Sequence, residues 1–255
     1  MFQGFERPPW WAVGVMVLSI VFLAVALPIA LDRGRVSPAE LAAAESSAPA
    51  PSRPPGEAAE PAGEARVQIA VLGDAYTAGS AMDSGEGRRW HELLSTQNPW
   101  DVTAYAAEGA GFVAGREQER SFPDRVPEVI AAEPDVVVVV GGHDDVGAPP
   151  DEVAQRVRRT LGELRTGLPD ARIVVVGVLW PGTAPAPVFT INSALRVASG
   201  EVSATFVDAL NSGWFDGANL ALIGPDGTYP TDAGHVALAD RIGGTLVAAG
   251  VPTEV

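Results

Sequence analysis

The sequence predicts an α/β fold, a three-layer α/β/α sandwich around a parallel sheet of about five strands. Three observations carry this. Val136–Val140 is a run of five valines without polar alternation, as in a strand buried on both faces. From residue 66 onward, apolar runs of this kind alternate with stretches of helical period. Repeated β–α units with right-handed crossovers give a parallel sheet with helices on both faces. Finally, the apolar run that starts at Gln68 ends in a polar turn bounded by Gly73 and Gly79. Such a turn belongs at the C-terminal edge of a parallel sheet, where α/β folds carry their sites.

Taken in order, Val67–Leu72 is the first strand. Arg88–Gln97 is expected to be a helix with Trp90, Leu93 and Leu94 on one face. Val102–Ala106 reads as a short second strand and Pro127–Ala132 as a helix. Asp135–Val140 holds the valine run. Pro150–Leu168 is an amphipathic helix, since Val153, Val157, Leu161 and Leu164 recur at spacings of four, four and three. Arg172–Leu179 is the fourth strand, Phe189–Ala198 a further helix and Ala204–Val207 a fifth strand. Asp232–Ala249 closes the chain as a helix, with Thr231 or Asp232 to cap its start and Gly250 after its end. There is no internal repeat.

Composition narrows the function. The 255 residues allow one ordinary domain plus extensions, and 47% apolar content is ample for a core. The chain has no cysteine, which excludes disulfides, thiolate metal sites, a thiol nucleophile and a lipid-anchored N-terminal cysteine. All 17 basic residues are arginine, and the net charge is −15. Nucleic acid is excluded as a partner, because a phosphate-binding surface needs a basic stripe. The one arginine cluster, Arg156, Arg158 and Arg159, falls on an expected helix and reads as its solvated face.

The N-terminal part has a different character. After a tail of residues 1–9, Trp10 to Leu31 is 22 residues without a charge. At about 1.5 Å per residue this reaches across a hydrocarbon core of about 30 Å. Trp10 and Trp11 sit at one end, as interfacial aromatics do. The run exceeds the apolar region of about 7–15 residues usual for a cleaved signal peptide. We therefore read residues 10–31 as a retained transmembrane anchor; the competing reading is a signal peptide cleaved near Ala42-Ala43-Ala44. The rest of 32–65 is an Ala/Pro-rich linker, with 10 alanines and 6 prolines in residues 36–65, too poor in apolar surface to offset its ordering entropy. A short helix at Pro38–Ala44 would interrupt it. Residues 66–255 form the folded domain. Arg7 on one side and Arg33 and Arg35 on the other do not favour an outside domain by the positive-inside rule.

Candidate chemistry lies in five short stretches: Gly73-Asp74-Ala75-Tyr76-Thr77-Ala78-Gly79, Ala107-Glu108-Gly109-Ala110-Gly111-Phe112, Gly141-Gly142-His143-Asp144-Asp145, Asp226-Gly227-Thr228-Tyr229-Pro230 and Asp232-Ala233-Gly234-His235. In order and spacing they resemble the signature blocks of the SGNH (GDSL) hydrolases, over most of residues 66–249. The first block matches six of seven positions of a common variant. The resemblance implies that family's flavodoxin-like parallel sheet. It also implies an extracytoplasmic domain, and by itself an esterase or deacylase acting on acylated carbohydrate, lipid or small esters, with no cofactor and no metal.

The resemblance also locates the roles. The nucleophilic serine would stand at Ala75, whose methyl cannot attack. Gly109, with Gly111 as the alternative, would give a backbone N–H to the oxyanion hole. The oxyanion asparagine would stand at Asp144, and an ionised carboxylate accepts hydrogen bonds and repels an oxyanion. It would donate only if its pKa rose well above about 3.9. The catalytic pair would be Asp226 and residue 229. Tyr229 stands in place of the histidine, and with a pKa near 10 it is a poor base at neutral pH. His235 matches a non-catalytic companion on the last helix.

Three changed roles imply a pseudoenzyme on the membrane, its cleft free to bind a glycan, an acyl group or a protein partner. The alternative is an active esterase rebuilt on Ser80 or Thr77 with His235. A third reading is a tethered scaffold whose cleft has no role. Asp74, Asp144, Asp145, Asp226, His143 and His235 together offer metal-ligand chemistry, but their spacing matches no metal motif, and we read the acids as caps of helices and loops.

Overall fold

A computed structural model describes residues 66–254 of the chain, and these belong to one compact unit, Glu60–Val255. The expected anchor at 10–31, the linker and the helix at Pro38–Ala44 lie outside the described residues. Among the described residues no helix is long and apolar enough to cross a membrane.

Five parallel strands form one sheet: β1 (Val67–Gly73), β2 (Trp100–Ala106), β3 (Val136–Val140), β4 (Arg172–Val176) and β5 (Thr205–Val207). Their order is β2-β1-β3-β4-β5. The chain leaves β1 outward to β2 and returns on the other side as β3. The C-terminal ends of β1 and β3 therefore face a topological switch point, the place where such sheets open a crevice.

The valine strand is central. Val71, Val138 and Val174 align across β1, β3 and β4, as do Leu72, Val139 and Val175. All five valines are buried. Val137 and Val139 pack with Ala70 and Leu72 against one helical layer, while Val136, Val138 and Val140 pack with Ile69 and Val71 against the other. The missing polar alternation follows from this double burial. The first layer holds α3 (Phe122–Ala131), α4 (Pro150–Gly167) and α5 (Ala186–Glu201). The second holds α2 (Trp90–Gln97) and α6 (Asp232–Ala248). A four-residue helix, α1 (Ala75–Ala78), follows β1 directly.

Element boundaries differ from the sequence reading for physical reasons. The expected helix Pro127–Ala132 starts five residues earlier, at Phe122. Ser121 and Asp124 form a reciprocal capping box there and Pro123 sits in the first turn, where proline is tolerated. Pro127 thus lies inside the helix rather than at its start. The fourth strand stops at Val176 rather than Leu179: Gly177 N–H makes the last bond to β5, at Val207 O (2.8 Å), and beyond it Val178 N–H turns to Asn192 Oδ1 at 3.1 Å. The helix expected from Arg88 starts at Trp90, because Arg88 ends a separate 3-10 turn, Glu86–Arg88, and Arg89 is extended. The 3-10 segment Gly217–Leu222 has no apolar period and was not expected.

Candidate functional site

The end of β1 is shaped by steric contact. At Gly73 a Cβ would stand 2.3 Å from Thr77 Oγ1, so only glycine lets α1 fold back onto the strand. Asp74 caps α1: its Oδ1 accepts the Tyr76 N–H at 2.9 Å. Ala75 begins the helix and its N–H has no intrahelical acceptor. Its methyl is 1% exposed. Tyr76 is fully buried and donates its hydroxyl to Thr228 O at 2.7 Å, tying α1 to the loop that carries Asp226 and Tyr229.

The turn after β3 supplies two adjacent carboxyls with different work. Asp145 is 0% exposed. Its Oδ2 accepts the Phe112 N–H at 2.8 Å, and its Oδ1 accepts those of Val113 and Ala114 at 2.8 and 2.9 Å. A Cβ on Gly111 would meet this carboxylate at 2.6 Å. Gly111 is thus required by the clamp. Gly109, two residues earlier, turns in the left-handed region at φ 69°. Asp144 is half-buried, and its Oδ2 lies buried without a hydrogen-bond partner among the described residues. Burial, reinforced by Asp145 and Glu108, raises its pKa, with His143 and Arg120 opposing. Asp74 is pushed well above the usual carboxylate range, first by burial and then by Asp144. The two acids are therefore close enough to feel each other across the switch point.

Tyr229 reaches the same place from the closing loop. Burial raises its phenol pKa, and Asp144, Glu108, Asp74 and Asp226 raise it further. A tyrosine held more firmly protonated is a still poorer base. Asp226 Oδ1 accepts the N–H groups of Thr228 and Tyr229 at 3.0 and 3.2 Å, so this acid shapes the loop on which residue 229 stands. His143 stacks on Trp180 at 4.7 Å between centroids and lies 5.4 Å from Tyr76 and 6.2 Å from Tyr229. Its Nδ1 faces Leu179 O at 3.3 Å. The edge thus has an aromatic wall of His143, Trp180 and Tyr229 beside the carboxyls of Asp144 and Asp74.

The remaining candidates stand apart. Thr77 is fully buried against Gly73, with its hydroxyl unpartnered among the described residues. Ser80 Oγ accepts the Met82 N–H at 3.1 Å. His235, 0% exposed, faces Trp90 and Asp83 and hydrogen-bonds neither hydroxyl. Asp232, three positions before His235 in an Asp-x-x-His spacing, instead accepts from Ser84 N–H and Oγ at 2.8 and 2.7 Å. Among the described residues no three ligating side chains group to hold a metal ion. Asp83 and Trp180 were not singled out from the sequence. Trp180 carries a readable signal, since it follows the β4 apolar run at the C-terminal edge; Asp83 carries none, because its partners come from α6 and the start of α2.

Ala75 after β1, Asp144 after β3 and Tyr229 in the closing loop thus meet at one edge of a doubly wound parallel sheet. The chain belongs to the GDSL-like lipase/acylhydrolase family, whose model matches residues 71–237. It is 32% identical over 184 residues to the GDSL lipase Rv0518 of Mycobacterium tuberculosis, an alignment covering 68% of this chain and 79% of that one. Among solved structures it is similar to the lipase/acylhydrolase of Enterococcus faecalis, with a TM-score of 0.60 at 12% identity over 74% of this chain and 100% of that one. It is also similar to the psychrotrophic esterase EstA of Pseudoalteromonas sp., with a TM-score of 0.57 at 14% identity over 71% and 97%.

Proposed function

We propose that the chain is a membrane-tethered, extracytoplasmic member of this family that no longer hydrolyses esters and uses the inherited cleft to bind a ligand. One observation carries the loss of activity: the nucleophile position holds a buried methyl, Ala75, while no histidine pairs with a hydroxyl among the described hydrogen bonds. The phenol at Tyr229 supports it, because burial and the neighbouring acids hold it protonated and so a poor base. The tether is supported by the uncharged run of 22 residues and the Ala/Pro-rich stretch after it. For the ligand, a glycan suits the wall best: flat rings at Trp180, His143 and Tyr229 meet sugar faces, and the Asp144 carboxyl meets hydroxyls. An acyl group or a protein surface is the other occupant to test.

Full-length protein in membranes is expected to give no ester hydrolysis above a buffer blank and no labelling by a fluorophosphonate, which needs an activated serine. Labelling or turnover would overturn the pseudoenzyme reading. The same preparation is expected to stay in the membrane fraction and to release, on external proteolysis, a fragment beginning within residues 36–65. A soluble mature form starting after Ala44 would remove the tether. A bound oligosaccharide at about 100 times its dissociation constant should add about 2.7 kcal/mol of stability in a thermal shift.

A further inference from the structure

A second buried polar cluster lies behind α1, away from the cleft. His235 sits near the start of α6 and is 0% exposed. Its Nδ1 accepts the backbone N–H of Trp90, at the first position of α2, at 3.4 Å. A ring nitrogen that accepts cannot carry a proton, so the ring is the neutral form protonated on Nε2. That Nε2 lies 3.8 Å from Asp83 Oδ2, with no hydrogen-bond partner among the described residues. Asp83 in turn accepts the N–H groups of Ser80 at 2.6 Å and Gly85 at 3.0 Å, and its Oδ1 lies 3.6 Å from Arg89 Nε. The connection continues to the cleft. The Trp90 indole donates to Tyr76 O at 3.1 Å, and the Tyr76 hydroxyl donates to Thr228 O. One imidazole thus joins α6 to α2, and through Trp90 to the turn that carries Ala75 and to the loop that carries Tyr229.

We propose that His235 is an acid-sensitive latch: neutral, it holds the first turn of α2 and the Ala75 turn against α6; protonated, it releases them. Protonation puts a second N–H on the ring, directed at the Trp90 N–H. Two donors then face each other in a buried space, and the amide loses the one acceptor it has among the described residues. The charged ring is attracted meanwhile to the Asp83 carboxylate that its Nε2 already faces, so protonation breaks the contact with the amide and strengthens the one with the carboxylate. The charged groups around it agree with this order of events. Asp83 favours the imidazolium, as does Asp232 on its own helix, whereas burial, the largest effect, and the Arg89 guanidinium oppose it, leaving the His235 pKa lowered. His91 on α2 is also held neutral, with burial pushing its pKa down to about 4. Because the folded value lies below the free value of about 6.5, the latch is closed above that pH and opens as pH falls through the folded value.

Hydrogen exchange of the full-length chain in detergent micelles tests this. After correction for intrinsic rates, peptides covering residues 75–79 and 88–94 should lose about tenfold protection between about pH 7.5 and a pH about one unit below the His235 midpoint, equivalent to about 1.4 kcal/mol of local opening. His235→Asn keeps an oxygen near the Nδ1 position but cannot titrate, and its protection should stay within about twofold over the same range. His91→Asn should behave like the native chain. An equal acid response in His235→Asn, or its absence in the native chain, overturns the latch. The native chain gives an independent reading by NMR of 15N-labelled histidine. His235 should be the Nε2-protonated tautomer at neutral pH, and its midpoint should coincide with the loss of the Trp90 amide signal. A proton on Nδ1, or a midpoint at or above about 6.5, overturns the proposal without recourse to any variant.

Discussion

Ala75→Ser alone is expected to recover almost no ester hydrolysis, whereas Ala75→Ser, Asp144→Asn and Tyr229→His together are expected to restore a measurable rate. The single change returns a hydroxyl to the start of α1 but leaves its proton with no acceptor. The phenol of Tyr229 is held protonated by burial and by Asp144. Asp144 itself would oppose the developing oxyanion wherever it ionises. Triad members act as a unit, and loss of serine or histidine alone costs about a million-fold in a serine protease, so partial repair should return little. The triple change supplies nucleophile, donor and base at positions the fold already brings to one edge. Asp226 then has to orient the new imidazole, and its carboxylate already accepts two hydrogen bonds from this turn, from the N–H groups of Thr228 and of residue 229. Rates on a p-nitrophenyl ester and fluorophosphonate labelling of the native, single-variant and triple-variant proteins check this. Full activity from Ala75→Ser alone would show that a base already exists, and loss of that activity on His235→Ala would identify it.

The sheet was legible because its strands are continuous apolar runs and its long helices carry a clear period. The valines of β3 and the Val153, Val157, Leu161, Leu164 stripe of α4 are buried as their pattern requires. What the pattern could not show is decided by polar contacts between distant segments. The early start of α3 depends on a Ser121–Asp124 box, and its interior Pro127 looks like a helix start when only the sequence is read. The end of β4 depends on Asn192, on a later helix. The site divides in the same way. The turn at Gly73–Gly79 was legible in the sequence, and the family resemblance pointed to Ala75, Asp144, Asp226 and Tyr229. The division of labour between two consecutive acids could not be read there: Asp145 clamps the loop at Phe112–Ala114 while Asp144 keeps an unpartnered oxygen. Nor could the partner of His235. Its sequence neighbour Asp232 is the right distance along a helix, yet Asp83, about 150 residues earlier, is the carboxylate it faces.

Val138→Asp is expected to abolish folding. Val138 is 0% exposed at the centre of the central strand, aligned between Val71 of β1 and Val174 of β4. Its side chain lies in the layer filled by Trp90, Leu94, Leu238 and Ile242. A carboxylate there meets apolar side chains and strand backbone already engaged in the ladder. It must then ionise unpaired or protonate, and either course costs several kcal/mol, on top of about 1–3 kcal/mol of lost valine burial. A domain of this size has about 5–15 kcal/mol in total, so the sum consumes most or all of it. The exposed end of the same sheet gives the control. Thr205→Asp on β5, an edge strand where residue 205 is exposed, should melt cooperatively within a few degrees of the native chain. Yield of soluble protein, circular dichroism and thermal melting distinguish the outcomes. A soluble Val138→Asp chain with a cooperative melt would mean that β3 is not the double-buried strand on which the rest of the sheet, and the switch point above it, depends.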